Sequence, residues 1–272
     1  MPILAIQVEF MKLRTALIAL ITVGTVMLPH AGHAIGPQPT LNQIDQHIAA
    51  ALSDITNKAG STSDGSDVSK ANWKLLAYIK EACERQEFLR APLKKAQEAG
   101  LNRVTSSDGK LCIYCWDTLT GGTMHNYWAL AQYQDGNEVL CDLLNPGSMK
   151  ETDDGEGGYW YDKIRTIKTK DNKTVYLVTG GSRGSTIDFG DIIEAYSIDK
   201  GQFALVPIFQ TKTKLLDQIE IEVHGAEPVE ILVSDDNQKV SVPIITKDGT
   251  PTDRFLVYKF NGSKFVFDPK LK

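Results

Sequence analysis

Residues 103–143 read RVTSSDGKLCIYCWDTLTGGTMHNYWALAQYQDGNEVLCDL. Short runs rich in valine, isoleucine, tyrosine and threonine alternate here with the turn pairs Asp108-Gly109 and Asp135-Gly136. β-branched and aromatic residues favour strands, whereas Asp-Gly pairs favour the tight turns of hairpins. The stretch therefore predicts four antiparallel strands, joined in order by a tight turn, a longer loop and a second tight turn.

Two later stretches, residues 165–208 and 230–267, follow the same order of strands and turns. The corresponding turns are Ser107-Asp108-Gly109, Asp171-Asn172 and Asp236-Asn237 at the first position, and Asp135-Gly136, Lys200-Gly201 and Asn261-Gly262 at the second. They recur at a spacing of about 64 residues, and four-stranded units of about 40 residues are the blades of β-propellers. The sequence therefore predicts a mainly β fold, a propeller-like repeat of four-stranded antiparallel units. A plain sandwich of sheets is the alternative.

The predicted organisation of the chain follows from a change of pattern near Gly100. Over residues 40–60 and 69–90 apolar residues recur at helical spacing, which predicts an α-helical segment before the β region. Residues 11–34 have a basic start, an apolar run and small residues at the end, as in a secretory signal peptide. We expect a signal peptide over residues 1–34, a helical N-terminal segment over 35–100, and a β domain over 101–272 with units at about 101–145, 162–209 and 229–269.

Composition and charge limit the partners that the protein can have. The chain of 272 residues has a formal net charge of −5 and contains no block of basic residues. A nucleic-acid partner is not expected, because phosphate backbones need a basic stripe. Beyond the predicted signal peptide, no stretch approaches the ~18 consecutive apolar residues of a spanning helix. We therefore expect a periplasmic or secreted protein that is not inserted in the membrane after signal cleavage.

The four cysteines are Cys83, Cys112, Cys115 and Cys141. Cys112 and Cys115 form a CxxC motif in a predicted strand, whereas redox-active pairs of this kind lie at the N-terminus of a helix. Positions three apart on a strand point to opposite faces, so these two cysteines cannot bridge each other. We expect two structural disulfides, one joining the second helix to the first β unit, with three connectivities open. The sequence lacks the second CxxC or histidine pair of a zinc site, and no cofactor is predicted.

Residues 116–125, WDTLTGGTMH, contain side chains that often occur in catalytic loops. The stretch matches neither the Gly-x-Ser-x-Gly nucleophile elbow nor a phosphate-binding loop, which needs Gly-Lys-Thr before a helix. Asp117 and His125 could act as an acid and base pair, but no serine or cysteine nucleophile occupies an obvious partner position. The alternative is a hydrogen-bonded histidine at the start of a strand.

The TGG of this loop recurs at residues 179–181, and TKDG at residues 246–249 takes the third position. In the repeat all three connect the second and third strands of a unit, so a propeller would gather them on one face. Tryptophan and arginine dominate protein-recognition hot spots, which favours a protein partner. Solvated turns whose glycines supply positive φ are the alternative. The predicted binding residues are Trp116, Asp117, His125, Arg183, Asp188 and Asp253, with Asp191 and Lys247 beside them.

One acidic loop could bind calcium. Asp153, Asp154 and Glu156 lie in a glycine-rich stretch before an aromatic cluster at Tyr159-Trp160-Tyr161. An EF-hand needs Asp-x-Asp-x-Asp-Gly and a distal glutamate, which this stretch lacks, so no metal site is predicted.

The stretches IYCWDTLTGGTMH, residues 113–125, and RFLVYKFNGSKFVF, residues 254–267, resemble a family of exported, β-rich bacterial proteins. The resemblance covers residues 101–268, its most specific part is residues 116–125, and it implies an exported bacterial setting without a particular reaction. More loosely, the protein resembles periplasmic immunity proteins that neutralise cell-wall-degrading effectors, some with propeller-like folds.

From these observations we expect an exported, non-catalytic binding protein with a protein partner. The resemblance suggests a periplasmic immunity protein, or an inhibitor of a cell-wall-degrading effector. One alternative is a glycan or cell-wall hydrolase that uses Asp117 and His125. The other is a structural protein of the cell envelope.

Overall fold

The computed structural model describes residues 38–61, 65–144, 158–225 and 229–269. The predicted signal peptide, residues 1–34, lies outside the described residues, as do the calcium candidates Asp153, Asp154 and Glu156. Within the described residues the chain is mainly β, with several antiparallel sheets and few helices, as the sequence predicts. No helix in this part of the chain is long and apolar enough to span a membrane.

The helices precede the first strand. Thr40 caps the first helix, because its hydroxyl accepts a hydrogen bond from the Gln43 backbone and the Gln43 side chain bonds back to Thr40. The second helix ends at Cys83 and not near Arg90. The carbonyl of its last residue, Cys83, accepts a hydrogen bond from the side chain of Gln132 in the first sheet at 2.8 Å, where a longer helix would supply a backbone N–H. The helices are α1 Leu41–Ala59, α2 Gly65–Cys83 and α3 Lys94–Glu98, with a 3₁₀ turn at Phe88–Arg90.

The first sheet is an antiparallel meander of four consecutive strands in the order β1-β2-β3-β4. Its strands are β1 Asn102–Thr105, β2 Leu111–Asp117, β3 Tyr127–Asp135 and β4 Glu138–Leu144. β2 is buried along almost its whole length, on both faces.

The second sheet also begins with four consecutive strands, β5 Trp160–Lys168, β6 Thr174–Arg183, β7 Asp188–Asp199 and β8 Gln202–Leu205. Two strands pair with the outer side of β7. β8 pairs with its C-terminal end, and β11, Gln218–His224, pairs with its first seven residues. Between them the chain forms two short strands, β9 Phe209–Gln210 and β10 Leu215–Leu216.

The third sheet has the order β10-β9-β15-β14-β13-β12. Four consecutive strands form its meander, and the pairing of β15 with β9 is parallel. These strands are β12 Leu232–Val233, β13 Lys239–Ile245, β14 Pro251–Phe260 and β15 Phe265–Asp268.

The three sheets and the helices pack face to face as successive layers. On β2, Tyr114 and Trp116 face a core shared with α1 and α2, whereas Ile113 faces a core shared with the second sheet. On β6, Tyr176 belongs to the core with the first sheet and Leu177 to the core with the third. Strand alternation thus places one hydrophobic core on each side of the first and second sheets.

The second TGG does not lie in a loop, and this sequence prediction is wrong. Gly180 and Gly181 are residues of β6 and pair with Ile192 and Asp191 of the next strand. A Cβ at Gly180 would lie 2.0 Å from the carbonyl oxygen of Trp160. The pair is therefore required by the close approach of β5, and not by a turn.

Candidate functional site

Three connections lie at the same end of the stacked sheets: residues 118–126 between β2 and β3, 184–187 between β6 and β7, and 246–250 between β13 and β14. Backbone hydrogen bonds join them in series. His125 N–H donates to the Arg183 carbonyl at 3.0 Å, and Gly225 N–H donates to the Ile187 carbonyl at 2.8 Å. His224 N–H, at the end of β11, donates to the Gly249 carbonyl at 2.9 Å. We call these three connections, with the end of β11, the loop end.

Asp117 and His125 form a pair at the base of the first connection. One carboxylate oxygen of Asp117 contacts Nδ1 of His125, and the other accepts the backbone N–H of Leu119 at 2.9 Å. The loop is tight, because a Cβ at Gly121 would lie 2.0 Å from the Met124 carbonyl oxygen. Its hydroxyls bond to one another, as Thr118 and Thr120 do at 2.8 Å. The sequence candidates Asp117 and His125 are thus brought together.

Tyr127 and Arg183 lie beside this pair. The Tyr127 ring stacks on His125 with centroids 5.9 Å apart. Burial and the Asp117 carboxylate raise the pKa of Tyr127 to about 12, against the opposing charge of Arg183. The guanidinium of Arg183 lies over the Phe189 ring at 5.6 Å and donates from Nε to the Ser185 carbonyl at 3.2 Å. The phenol therefore stays protonated at neutral pH and can act as a hydrogen-bond donor.

A second histidine and carboxylate pair, which sequence reasoning missed, occupies the neighbouring connection. Nδ1 of His224 lies 2.5 Å from Oδ1 of Asp188, and the Ser185 hydroxyl donates to Oδ2 at 2.5 Å. These two hydrogen bonds hold the pKa of Asp188 below its ordinary value, and the bond from Ser185 has the larger effect. A hydrolytic triad needs the histidine between the serine and the carboxylate, and here the carboxylate is in the middle. The cluster therefore does not have the order of a serine–histidine–carboxylate triad.

Apolar side chains are exposed at the loop end. Leu119 is 39% exposed, Met124 53% and Ile187 44%. The other large apolar side chains exposed in the described residues, Leu215 and Leu232, belong to short outer strands of the third sheet. Three of the five thus lie on loops connected by backbone hydrogen bonds, where nothing in the described chain covers them.

Trp116 is not a surface residue, and its prediction as a binding residue is wrong. It is 2% exposed and belongs to the core between the first sheet and the helices. Its indole Nε1 donates to Oδ1 of Asn72 on α2 at 2.9 Å. The side chain of residue 116 points to the helical face because it alternates with Cys115, which points to the second sheet.

The other predicted residues lie at or near the loop end. Lys247 is exposed in the third connection, and Asp253 is exposed on β14 just beyond it. Asp191 lies deeper on β7, where burial raises its pKa to about 7, although the N–H of Ile231 donates to its carboxylate. Asp191 is therefore part of the support beneath the loop end, and not of its surface.

The cysteines are all free in this structure, in contrast to the two predicted disulfides. Cys115 lies in the core towards the second sheet, and its sulfur accepts the N–H of Tyr161 at 3.4 Å. Cys83 and Cys112 lie in the core on the opposite face of the first sheet. Cys141 packs against the same core, so the first sheet separates Cys115 from the other three cysteines, and a pairing that includes Cys115 is wrong for this fold.

Among the described residues no group of three or more histidine, cysteine or acidic side chains is placed to hold a metal ion. A scan against models of known protein families finds no match to the chain. Searches of curated proteins and of solved structures find no match either.

Proposed function

We propose that the protein is an exported, non-catalytic binding protein that recognises a protein partner through its loop end. The observation that carries the proposal is the exposure of Leu119, Met124 and Ile187 on mutually bonded loops. Exposed apolar groups beside polar ones are typical of protein interaction sites. Arg183, held over Phe189, adds a residue type enriched in interface hot spots.

The resemblance of residues 113–125 and 254–267 to exported bacterial proteins gives the proposal its specific form. The partner is then a secreted effector that degrades the cell wall, and the protein is its periplasmic inhibitor or immunity protein. The three meanders, each of four consecutive antiparallel strands, support a repeat of four-stranded units, and a propeller-like arrangement of these units is part of the proposal.

A hydrolase is the second candidate, and the Asp117 and His125 pair is the observation that favours it. A carboxylate that orients the histidine is found in acid and base catalysis. Against it, the nearby hydroxyls of Thr118 and Thr120 bond to each other, and within the described residues no hydroxyl or thiol donates to the His125 ring. We therefore favour binding over hydrolysis.

Capture with matched variants tests the binding proposal. The full chain is used as bait in periplasmic extract or culture medium, and the captured protein is purified for a measurement of Kd. Replacing Met124 and Ile187 together by serine should weaken binding by tenfold or more, as expected for hot-spot side chains. The control replaces Leu215 and Leu232 together by serine. These side chains are 43% and 49% exposed on the third sheet, and the variant should bind like the wild type. Equal loss in both double variants would contradict the assignment of the loop end.

The hydrolase candidate has a separate readout. Purified protein is incubated with cell-wall material or soluble glycans, and released fragments are measured for the wild type, Asp117→Asn and His125→Gln. Release by the wild type that both substitutions abolish would replace the non-catalytic proposal with an enzymatic one.

A further inference from the structure

Three cysteines lie around Gln132 on the helical face of the first sheet. Gln132, on β3, is paired in register with Cys112 on β2 and with Cys141 on β4, so the three side chains share a face. The Gln132 amide donates to the Cys83 carbonyl at 2.8 Å. This hydrogen bond holds the last residue of α2 against Gln132, whose two neighbours across the sheet are Cys112 and Cys141.

Gln132 is itself fixed in place. Its Oε1 accepts the hydroxyl of Tyr114 at 2.8 Å, and its Nε2 also donates to the Arg85 carbonyl at 3.1 Å. Gln132 and Tyr114 are both 0% exposed. The end of α2 therefore has a defined position over β3, and Cys83 cannot shift sideways without breaking buried hydrogen bonds.

The two neighbours of Cys83 are not equivalent. After burial, the thiol of Cys141 contributes most to the raised pKa of the Cys83 thiol, ahead of the thiol of Cys112. Cys112 is fully buried and its sulfur accepts the Thr105 hydroxyl at 3.7 Å. Cys141 lies on the outer strand of the sheet and is the one cysteine of the four that is not fully buried, so it is the thiol more open to an oxidant in solvent.

We propose that Cys83 and Cys141 form a disulfide under oxidising conditions, which joins the end of α2 to the outer strand β4. Cys112 and Cys115 remain thiols. This assigns one bridge where the sequence alone allows two, and it does not depend on the partner proposed for the loop end.

The reaction is a thiol–disulfide exchange with a small disulfide such as oxidised glutathione. The Cys141 thiolate attacks one sulfur of the oxidant, which forms a mixed disulfide and releases one glutathione thiol. The Cys83 thiolate then attacks the Cys141 sulfur, forms the protein disulfide and releases the second glutathione. Two protein thiols are oxidised, the oxidant takes two electrons, and the two protons end on the released thiols.

The second step should be slow. Burial raises the pKa of Cys83 well above its ordinary value, so little of it is thiolate. Once formed, the bond closes a long loop of chain, from α2 to β4, and restricts the unfolded state. For a protein of this size we expect oxidation to raise Tm by about 5–10 °C.

The test uses the full chain, purified reduced and then treated with oxidised glutathione. Remaining thiols are alkylated, and the peptides are mapped by mass spectrometry. We expect one linked pair of peptides, containing Cys83 and Cys141, with Cys112 and Cys115 alkylated. Oxidation should raise Tm in the wild type and in Cys112→Ser and Cys115→Ser, but not in Cys141→Ser.

The peptide map of the wild type tests the proposed disulfide even if a variant fails to fold. A bond between Cys83 and Cys112 would overturn the proposal. So would a glutathione adduct that persists on Cys141, since Cys83 would then be unable to resolve it. Four alkylated cysteines after prolonged oxidation of the folded protein would overturn it as well.

Discussion

Asn72 shows how a single buried amide supports the candidate site. It is 0% exposed on α2, accepts the Trp116 indole N–H at 2.9 Å, and donates to the carbonyls of Thr118 and Val68 at 2.8 and 3.0 Å. Each of its strong donors and acceptors has a partner, as a buried amide requires. Because Thr118 begins the first connection of the loop end, the helical layer helps to fix the loop that carries His125.

Asp191 should make the stability of the protein depend on pH. Burial raises its pKa to about 7, whereas the carboxyl of an unfolded chain titrates near 3.8. Between these values the folded state binds the extra proton, so the free energy of unfolding falls as pH rises through this window. Asp191→Asn keeps an acceptor for the Ile231 N–H and does not titrate. From pH 5 to pH 8 the free energy of unfolding, measured in urea, should fall by about 1–3 kcal/mol more in the wild type than in this variant.

The control for this prediction is Asp199→Asn, at the exposed end of the same strand. It should keep the pH dependence of the wild type. If Asp191→Asn instead shows the same slope as the wild type, the Asp191 carboxyl is already ionised at pH 5.

At the scale of elements, the clearest packing constraint is the contact between β5 and β6. Gly180 has the Trp160 carbonyl where a Cβ would lie, and at Gly181 a Cβ would meet the Trp160 ring at 2.5 Å. The obstacle at Gly180 is backbone, which cannot turn aside as a flexible side chain can. Glycine lets the two strands approach at a point where their register shifts, between Tyr161 and Lys163.

Gly180→Ala should therefore cost about 2–4 kcal/mol of stability, since β5 must move to admit a methyl group. The measurement is urea unfolding followed by circular dichroism. Gly65→Ala is the matched control, because a Cβ at the first residue of α2 meets nothing within 4 Å. It should leave stability unchanged or slightly raised. A loss at Gly180 no larger than at Gly65 would show that the strands separate easily.

The turns were predictable from the sequence because their chemistry is local. Gly109, Asn172 and Asn237 all have positive φ at the first turn, and Lys200 and Gly201 both do at the second turn of the second sheet. Glycine and asparagine adopt positive φ at low energetic cost, so a short window of sequence is enough to locate these turns. At the second turn of the second sheet, Gly201 marks the turn although Lys200 also has positive φ. Strand order within each meander then follows from the short connections.

Long-range pairing and orientation could not be predicted in this way. β2 is buried on both faces, so no alternation of polar and apolar residues shows which face Trp116 occupies. Asp117 and His125 lie at the two ends of one short loop, so their spacing in the sequence is enough to predict that they meet. His224 meets Asp188 only because β11 joins the outer side of β7, a pairing that no local signal specifies.

At the scale of the whole molecule, the layered arrangement accounts for the apolar character of the central strands. The first sheet is covered by helices on one face and by the second sheet on the other, and the second sheet separates the first from the third. Strands such as β2 and β6 consequently have few exposed positions. Since adjacent cores share a sheet, loss of one layer exposes the core of the next.

The layers should therefore unfold together, and the positions of the tryptophans allow a test. Trp73, Trp116, Trp128 and Trp160 lie in α2, the first sheet and the first strand of the second sheet, so fluorescence does not report directly on the third sheet.

Val242, 2% exposed, belongs to the core between the second and third sheets. If the layers are cooperative, Val242→Ala lowers the free energy of unfolding measured by fluorescence by about 1–3 kcal/mol, with the same midpoint by circular dichroism. Leu232→Ala, on the exposed edge of the same sheet, should have little effect on either. A Val242→Ala variant whose circular dichroism midpoint falls while its fluorescence midpoint stays fixed would mean that the third sheet unfolds on its own.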